Sequence, residues 1–196
     1  MLFDEYKLKN LILRNRVVMA PMTRNQSPGG IPTSDVISYY ARRAKAEVGL
    51  IITEGIEVSH IASSAYPNVP RLDTNKAREG WKKVVDGIKN NNGAVIAQLW
   101  HCGGFRKLGM QPNPEVPGYT ASGLVKPGKK VAHEMNLQDI KETIDAYASD
   151  AKICQELGFD GVEIHGAHGY LIDNFLWGGT NTVSYTHLRA HETYDH

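Results

Sequence analysis

The sequence has few cysteines and no excess of charge of one sign. Its two cysteines, Cys102 and Cys154, lie far apart and show no CxxC-type spacing, which argues against a disulfide framework or a structural zinc site. The 22 lysines and arginines nearly balance the 21 aspartates and glutamates, and the formal net charge is +1. Because no basic block occurs either, we expect neither nucleic acid nor an anionic membrane as a partner.

Long hydrophobic runs are also absent. Apolar stretches such as Leu50–Ile52 fall far short of the roughly 20 residues that span a bilayer, so we predict no membrane segment. Asp4 and Glu5 stand where a secretory signal would carry positive charge and then a hydrophobic stretch. We therefore expect a cytoplasmic protein, and 41% hydrophobic residues in a chain of 196 are typical of a packed core.

The sequence instead alternates between strand-like and helix-like patterns. Short apolar runs predict strands, and apolar residues at helical spacing predict helices between them. The predicted strands are residues 15–19, 50–53, 94–99 and 161–164. The predicted helices run from a cap at Ser34 to Gly49, from Thr74 to the turn Asn90–Gly93, and from a cap at Asn136 to Gly158. Residues 101–135 have many glycines and prolines without a sustained period, and we predict a long functional loop there.

The predicted order is β-α-β-α-β-loop-α-β, which is typical of parallel strands joined by right-handed crossovers. A doubly wound nucleotide-binding sheet is disfavoured, because no GxGxxG run links a strand to a helix. We therefore predict an α/β fold of the TIM (β/α)8 barrel class. Such a barrel needs eight strands and about 250 residues, so we expect one that is truncated after about its fourth strand.

Three ionisable rings follow the fourth predicted strand directly. They belong to His165, His168 and Tyr170. In an α/β barrel the reactive groups lie at the carboxyl ends of the strands, while the strands themselves are packing material. This motif is therefore the leading candidate for chemistry in the chain.

Strand-end motifs of this kind recur in a fixed order along the chain. They are Ala20-Pro21-Met22-Thr23-Arg24, Thr53-Glu54-Gly55, Gln98-Leu99-Trp100-His101 and His165-Gly-Ala-His168-Gly-Tyr170. With these motifs the chain, from about Leu2 to Thr182, resembles the N-terminal part of the old yellow enzyme family, the NADH:flavin oxidoreductases. These are TIM barrels that use FMN, and many of them reduce activated alkenes. The resemblance implies FMN as cofactor, NADH or NADPH as hydride donor, and a small molecule such as an α,β-unsaturated carbonyl as acceptor.

The resemblance also implies roles for the three rings. His165 and His168 would donate hydrogen bonds to an acceptor oxygen held over the flavin, where negative charge builds as hydride arrives, and His165 would also contact the cofactor. Tyr170 would protonate the α-carbon, because a phenol stays protonated at neutral pH and can act as a general acid. Trp100 and Tyr39 would be aromatic contacts to the substrate, with core packing as an equally good alternative.

Flavin contacts are implied at strand ends in the first half of the chain. The Thr23 hydroxyl would bond to the flavin O4, and Gln98 would offer both a donor and an acceptor to the pyrimidine ring. Gly55 would let the main chain approach the flavin without a Cβ in the way. Backbone contacts would come from Ala20, Pro21 and Met22. Each of these residues alone has an ordinary structural explanation, so the assignment depends on the joint match.

The chain departs from the family pattern in two places. Cys102-Gly-Gly-Phe-Arg106 stands where the family more often shows a small residue, glycine and then arginine, which leaves the neighbouring pocket wall and the choice of substrate open. Residues 183–196 have no helix or strand period and resemble a translated sequencing adapter. We therefore expect the family domain at residues 1–182, followed by a tail at 183–196 that is artefactual or disordered.

Half a barrel would expose unpaired backbone groups on its first and fourth strands, so we expect the chain alone to be inactive. Two other functions stay open from the residues. One is a metal-dependent hydrolase barrel that uses His165 and His168 as ligands, with a third ligand from His101, His60 or Glu163. The other is a non-catalytic fragment. We favour the flavoenzyme and no metal, and we leave open whether the intact protein is a homo-oligomer.

Overall fold

The computed structural model describes residues 1–183 and is built from short strands and four α-helices. The strands are β1 (Tyr6–Leu8), β2 (Leu11–Leu13), β3 (Val18–Met19), β4 (Leu50–Glu57), β5 (Ala94–Trp100), β6 (Tyr119–Thr120), β7 (Leu124–Lys126), β8 (Lys129–Lys130), β9 (His133–Glu134) and β10 (Gly161–Ile164). The α-helices are α1 (Ser34–Lys45), α2 (Asn75–Lys89), α3 (Leu137–Leu157) and α4 (Leu171–Leu176). No helix within residues 1–183 is long and apolar enough to cross a membrane.

The main sheet is parallel and has the order β10-β5-β4-β3. In chain order, each of these four strands pairs with the one before it, so every new strand is added at the same edge of the sheet. That is the winding of a barrel, whereas a doubly wound sheet reverses direction at a switch point. The two edge strands leave apolar side chains exposed, among them Val18 on β3 and Val162 and Ile164 on β10.

The bounds of the first two predicted strands were less accurate than those of the third and fourth, which agree with β5 and β10 to within one residue. The predicted first strand, 15–19, is only Val18–Met19, because the buried Asn15 side chain accepts the Val17 N–H and donates to the Glu47 carbonyl. The predicted second strand, 50–53, continues to Glu57, and its pairing with β5 shifts register between Ile52 and Gly55. Such a bulge changes the direction in which the following side chains point.

The first helix begins and ends differently from the prediction. Its N-cap is Thr33, whose hydroxyl accepts the Val36 N–H at 3.5 Å, and Ser34 is the first helical residue. The helix ends at Lys45 rather than Gly49. Gly49 has a different role, since a Cβ on it would lie 2.3 Å from the backbone oxygen of Asn15. The glycine is required for close chain approach, not for ending the helix.

The other two helix starts agree with the predictions. The Thr74 hydroxyl accepts the Ala77 N–H at 3.1 Å, and the Asn136 side chain accepts the N–H groups of Gln138 and Asp139 at 2.8 and 3.0 Å. Both caps satisfy N–H groups that have no partner inside the helix. Gly158, with φ of +93°, follows the third helix as predicted.

The segment predicted as a loop contains more order than expected. Residues 101–135 hold a 3₁₀ turn at Gly103–Phe105, the parallel pair β6 and β9, and the antiparallel pair β7 and β8. The N-terminal hairpin of β1 and β2 and helix α4 were not predicted either. Each of these elements is too short to show a period in the sequence.

The described chain divides into two compact units. Unit 1 comprises residues 1–59, 66–100 and 147–164, and unit 2 comprises 60–65, 101–146 and the described residues from 165 to 183. The core of unit 1 lies where apolar residues of its helices pack against strands β4 and β5. Its largest fully buried apolar side chains include Tyr40, Ile51, Leu72, Trp81 and Ile88. The helical stripe of Trp81, Val84, Val85 and Ile88 in the sequence is thus a core stripe.

Candidate functional site

In unit 1 three of the strands contribute to one row of residues. Gly55 of β4 is the register partner of Gln98 of β5, and Gln98 is the partner of Glu163 of β10. The Gln98 Nε2 donates to the Glu163 Oε1 at 2.7 Å. Because one amide proton is held by the carboxylate, the orientation of the amide is fixed, and its oxygen and second proton keep their bonding capacity. Glu163 was not singled out in this role from the sequence.

The loop after β3 holds the remaining residues predicted to contact flavin in unit 1. Ala20, Met22 and Thr23 are exposed and Pro21 is half-buried. The next residue fixes the end of this loop, since the Arg24 backbone N–H donates to the Glu54 carboxylate at 3.0 Å. The loop therefore presents Thr23 to solvent from a defined anchor.

That anchor is a buried carboxyl group. Glu54 is fully buried, its N–H donates to the Tyr40 hydroxyl at 2.8 Å, and its Oε1 lies 3.5 Å from the same hydroxyl. Burial raises the pKa of Glu54 to about 7, although the Arg24 backbone bond and charge act in the opposite direction. Burial and the Glu54 charge also raise the pKa of Tyr40. The sequence motif contained Glu54, but its role as an anchor depends on a contact with helix α1 that no pattern shows.

Tyr39 lies between two guanidinium groups. The Arg24 Cζ is 3.4 Å and the Arg43 Cζ is 3.3 Å from the centroid of its ring. Two groups at such distances must cover opposite faces of the ring. Tyr39 as a substrate contact stays a prediction, but only its edge and hydroxyl are available for it.

Trp100 is buried and packs within unit 1. Its indole stacks on Tyr66, with ring centroids 5.4 Å apart and an interplanar angle of 22°. A Cβ on Gly55 would lie 2.5 Å from the indole. Gly55 therefore has a packing reason to be glycine, which is independent of its predicted contact with flavin.

In unit 2 the three rings after β10 lie together. The centroid of the His165 ring is 5.3 Å from that of His168 and 5.0 Å from that of Tyr170, and the His168 and Tyr170 centroids are 6.5 Å apart. All three pairs are close to perpendicular. His165 and Tyr170 are half-buried and His168 is exposed. The three predicted catalytic residues thus form one cluster that is open to solvent.

Local backbone geometry holds this cluster in place. His168 has a φ of +63° and Gly169 a φ of +74°, so the chain makes a tight left-handed turn. For a non-glycine residue this conformation costs roughly 1 to 2 kcal/mol. The Asp173 carboxylate accepts the Gly169 N–H at 2.6 Å and supports the turn. The Ala167 N–H donates to His165 Nδ1 at 3.3 Å, so the proton of the neutral His165 ring lies on Nε2.

A second pair of histidines, His60 and His101, also lies in unit 2. His60 Nδ1 is 2.9 Å from His101 Nε2, and the Gly103 N–H donates to His101 Nδ1 at 3.0 Å. His101 is fully buried, and burial together with His60 and Arg106 lowers its pKa well below the ordinary range. Burial also lowers the pKa of His60. Both rings are therefore neutral at pH 7.

The alternative of a metal-dependent hydrolase finds no support in the geometry. Across residues 1–183 no group of three or more histidine, cysteine or carboxylate side chains is arranged to hold a metal ion. His165 and His168 are in one cluster, while His60 and His101 bond to each other.

Comparison with known proteins identifies the class. A model of the NADH:flavin oxidoreductase / NADH oxidase family matches residues 1–185. 12-Oxophytodienoate reductase 7 of Oryza sativa subsp. japonica is 36% identical over 192 residues, which are 92% of this chain and 48% of that protein. The putative 12-oxophytodienoate reductase-like protein 1 of Arabidopsis thaliana is 39% identical over 181 residues, 89% of this chain and 54% of that protein.

Solved structures agree with these matches. Morphinone reductase in complex with tetrahydroNAD superposes with a TM-score of 0.86 at 30% identity, over 93% of this chain and 54% of that one. The old yellow enzyme homologue from Zymomonas mobilis superposes with a TM-score of 0.82 at 32% identity, over 94% of this chain and 53% of that one. The chain spans about half the length of the relatives it matches.

The parallel sheet, its single winding direction and these superpositions define an α/β barrel of the TIM class, of which the chain provides the first four strands. The chain belongs to the NADH:flavin oxidoreductase / NADH oxidase family, the old yellow enzyme family. The predicted fold class and family are therefore confirmed. This is a family of oxidoreductases that use FMN with NADH or NADPH, which confirms the predicted enzyme class and cofactors at the level of the family.

Proposed function

We propose that the protein is an FMN-dependent NAD(P)H oxidoreductase that delivers hydride to an electron-poor small molecule, such as an α,β-unsaturated carbonyl. The observation that carries this proposal is the cluster of His165, His168 and Tyr170 in unit 2, with ring centroids 5.0 to 6.5 Å apart. The relatives are named as reductases of 12-oxophytodienoate and of morphinone, and we infer a reducible acceptor of related chemistry.

The residues of unit 1 have the chemistry that an FMN site needs. Thr23 presents a hydroxyl on the exposed loop after β3, and Gln98 presents an amide that is held by Glu163. A hydroxyl and an oriented amide suit the alternating donors and acceptors of an isoalloxazine edge. Bound FMN would accept hydride from NADH or NADPH and supply it to the acceptor.

The two histidines would bind the acceptor through its oxygen. His165 carries its proton on Nε2, because its Nδ1 accepts the Ala167 N–H, and His168 is exposed on the same turn. Donors that are fixed before the reaction stabilise the charge that develops on a carbonyl oxygen more than they stabilise the neutral ground state. We therefore assign His165 and His168 to charge stabilisation.

Tyr170 would donate a proton to the α-carbon of the acceptor. Its ring is held against His165, with centroids 5.0 Å apart, at the N-terminus of helix α4. A phenolic hydroxyl carries a proton that it can donate, so Tyr170 can serve as a general acid once the acceptor is placed beside it.

The substitution Tyr170→Phe tests this function in the protein expressed from its complete reading frame and loaded with FMN. We expect reduction by NADH or NADPH to keep its rate and the acceptor-dependent step to slow by about 100- to 10,000-fold, in keeping with the loss of a general acid. Stopped-flow absorbance of the flavin measures the two half-reactions separately. Tyr6→Phe, in the N-terminal hairpin, is the matched control. An equal loss in both half-reactions would contradict the assignment.

Three sequence predictions stay as predictions. We propose that the 196-residue chain alone binds FMN weakly and is inactive, because edge strands β3 and β10 expose the apolar side chains Val18, Val162 and Ile164. A yellow, monomeric preparation with one flavin per chain would contradict this. The cytoplasmic location has only a sequence argument behind it. The tail predicted at residues 183–196 lies almost wholly outside the described residues.

A further inference from the structure

The turn that departs from the family pattern packs directly against Tyr170. The Phe105 ring centroid lies 4.8 Å from that of Tyr170, with an interplanar angle of 47°. His165 contacts the same tyrosine at 5.0 Å and 81°. The phenol is therefore held from two directions, by an imidazole of the predicted site and by a phenyl ring that the sequence left unassigned.

The turn itself has little freedom to move. The His101 carbonyl accepts the N–H of Leu171, the residue after Tyr170, at 3.2 Å. Gly103 has a φ of +56°, and a Cβ there would lie 2.8 Å from the Leu171 nitrogen. Since Leu171 follows Tyr170 directly, these contacts fix the backbone that carries Phe105 relative to the backbone that carries the phenol.

Phe105 is not an ordinary core residue. It is 44% exposed, although burial of a phenyl ring is favourable by roughly 2 to 3 kcal/mol. One part of the ring covers Tyr170, and its Cε2 would lie 3.4 Å from a Cβ on Gly169. The ring therefore spans the strained turn and the phenol together.

We propose that Phe105 is a positioning residue for Tyr170, which restricts the phenol to the orientation from which it donates its proton. The proposal rests on the function proposed above for Tyr170. The physical reason is that a general acid acts only within hydrogen-bond reach of its target, and a displacement of about 1 Å can cost on the order of 100-fold in rate. Tyr170 is half-buried at the start of a helix, and a ring packed against its side chain restricts the rotamers that it can adopt.

The test combines kinetics with a spectroscopic measurement on the FMN-loaded protein expressed from its complete reading frame. We expect Phe105→Ala to slow the acceptor-dependent step about 10-fold, with little change in KM or in reduction by NADH or NADPH. Phe105→Tyr keeps the ring and should restore the rate to within about 2-fold of the parent. Phe3→Ala, at a phenylalanine that is 77% exposed in unit 1, is the matched control. If Phe105→Ala does not fold, Phe105→Leu replaces it.

The spectroscopic measurement is the NMR shift of the Tyr170 ring protons, which are assigned by their loss in Tyr170→Phe. We expect the shift to move in Phe105→Ala and Phe105→Leu, because the neighbouring ring current is lost, and to return in Phe105→Tyr. A moved shift with an unchanged acceptor step would overturn the proposal and leave the function of Tyr170 intact. If Tyr170→Phe itself leaves the acceptor step unchanged, both the function of Tyr170 and the role of Phe105 are wrong.

Discussion

The two units of the described chain are stabilised by different kinds of interaction. In unit 1, apolar side chains such as Ile51 and Trp81 are fully buried in one cluster. In unit 2, buried polar side chains bond to the backbone: Asn174 accepts the Ala121 N–H at 3.0 Å and donates to the Leu124 carbonyl at 3.1 Å. Unit 1 therefore depends on apolar burial, and unit 2 depends on hydrogen bonds that replace regular secondary structure.

Their buried ionisable groups differ in the same way. Unit 1 buries carboxyl groups, Glu54 and Asp150, and burial raises the pKa of each. Unit 2 has a fully buried imidazole, His101, and a half-buried one, His60, and burial lowers the pKa of each. Each unit thus favours the neutral form of its own groups, but a change of pH must act on the two units with opposite signs.

The largest effect is expected from a substitution that removes buried hydrogen bonds from unit 2. Arg106 is almost fully buried and donates to the carbonyls of Val116 at 3.0 Å, Ser64 at 2.6 Å and Met110 at 2.8 Å, as well as to that of Asn113. Arg106→Met removes these charged donors and leaves buried carbonyls without them. We expect the free energy of unfolding to fall by roughly 3 to 5 kcal/mol, as measured by urea denaturation.

The control for this variant is Arg42→Met, at an exposed position on helix α1 of unit 1. It should change the free energy of unfolding by about 0.5 kcal/mol or less. Hydrogen exchange should show that Arg106→Met weakens protection first in residues 106–116. Equal effects of the two substitutions would show that the buried guanidinium does not organise unit 2.

The next largest effect is a pH dependence of stability that differs between the two units. Glu54 has a folded-state pKa of about 7, above its usual 4.5, so the folded state keeps a proton that the unfolded state loses. Its contribution is fully present below pH 4.5 and is lost as the pH rises through 7, on the order of 3 kcal/mol in total. Glu54→Gln keeps the polar shape without the charge, so its unfolding free energy should no longer show this loss between pH 5 and 8.

The histidine pair of unit 2 should make stability change with pH in the opposite direction. Its folded-state pKa values are lowered, so the unfolded state binds protons first, and stability is lost as the pH falls below about 6.5. Hydrogen exchange measured at pH 5.5 and at pH 8 shows in which unit stability is lost. Unit 2 should open more readily at the lower pH and unit 1 at the higher. If the stability of both units changes with pH in the same direction, the expected difference between them is wrong.

The fold of unit 1 was predictable because it depends on periodic burial. Val84, Val85 and Ile88 recur at helical spacing, and all are buried. The position of the first cap was not predictable to the residue, since Thr33 and Ser34 are adjacent and both are good caps. The order within 101–135 was hidden for a different reason. It depends on contacts such as that of Arg106 with Ser64, 42 residues away.

The candidate site shows the same limit. His165, His168 and Tyr170 follow one strand, so their proximity could be expected from the sequence, and the structure brings them together. Phe105 and Glu163 contact predicted site residues across 65 positions of the chain, Phe105 on Tyr170 and Glu163 on Gln98. The irregular run around Phe105 was the one available signal, because it departs from the family pattern.

The smallest effect on stability is expected from substituting a single glycine of unit 1, Gly55. Gly103 and Gly169 in unit 2 have positive φ, whereas Gly55 in unit 1 is constrained by the Trp100 indole, 2.5 Å from the position of a Cβ. We expect Gly55→Ala to lower the free energy of unfolding by about 1 to 3 kcal/mol through overpacking. Gly87→Ala, in helix α2 with ordinary contact distances, should instead gain up to about 1 kcal/mol.

Urea denaturation of both variants, followed by titration with FMN, distinguishes the two reasons for glycine at position 55. If packing against Trp100 is the reason, Gly55→Ala loses stability whether or not FMN is present, and the near-ultraviolet circular dichroism of the Trp100 and Tyr66 stack changes with it. If close approach of the flavin is the only reason, the free protein keeps its stability and FMN affinity alone falls. That second result would show that the indole can shift, and that this part of unit 1 is less tightly packed than its burial indicates.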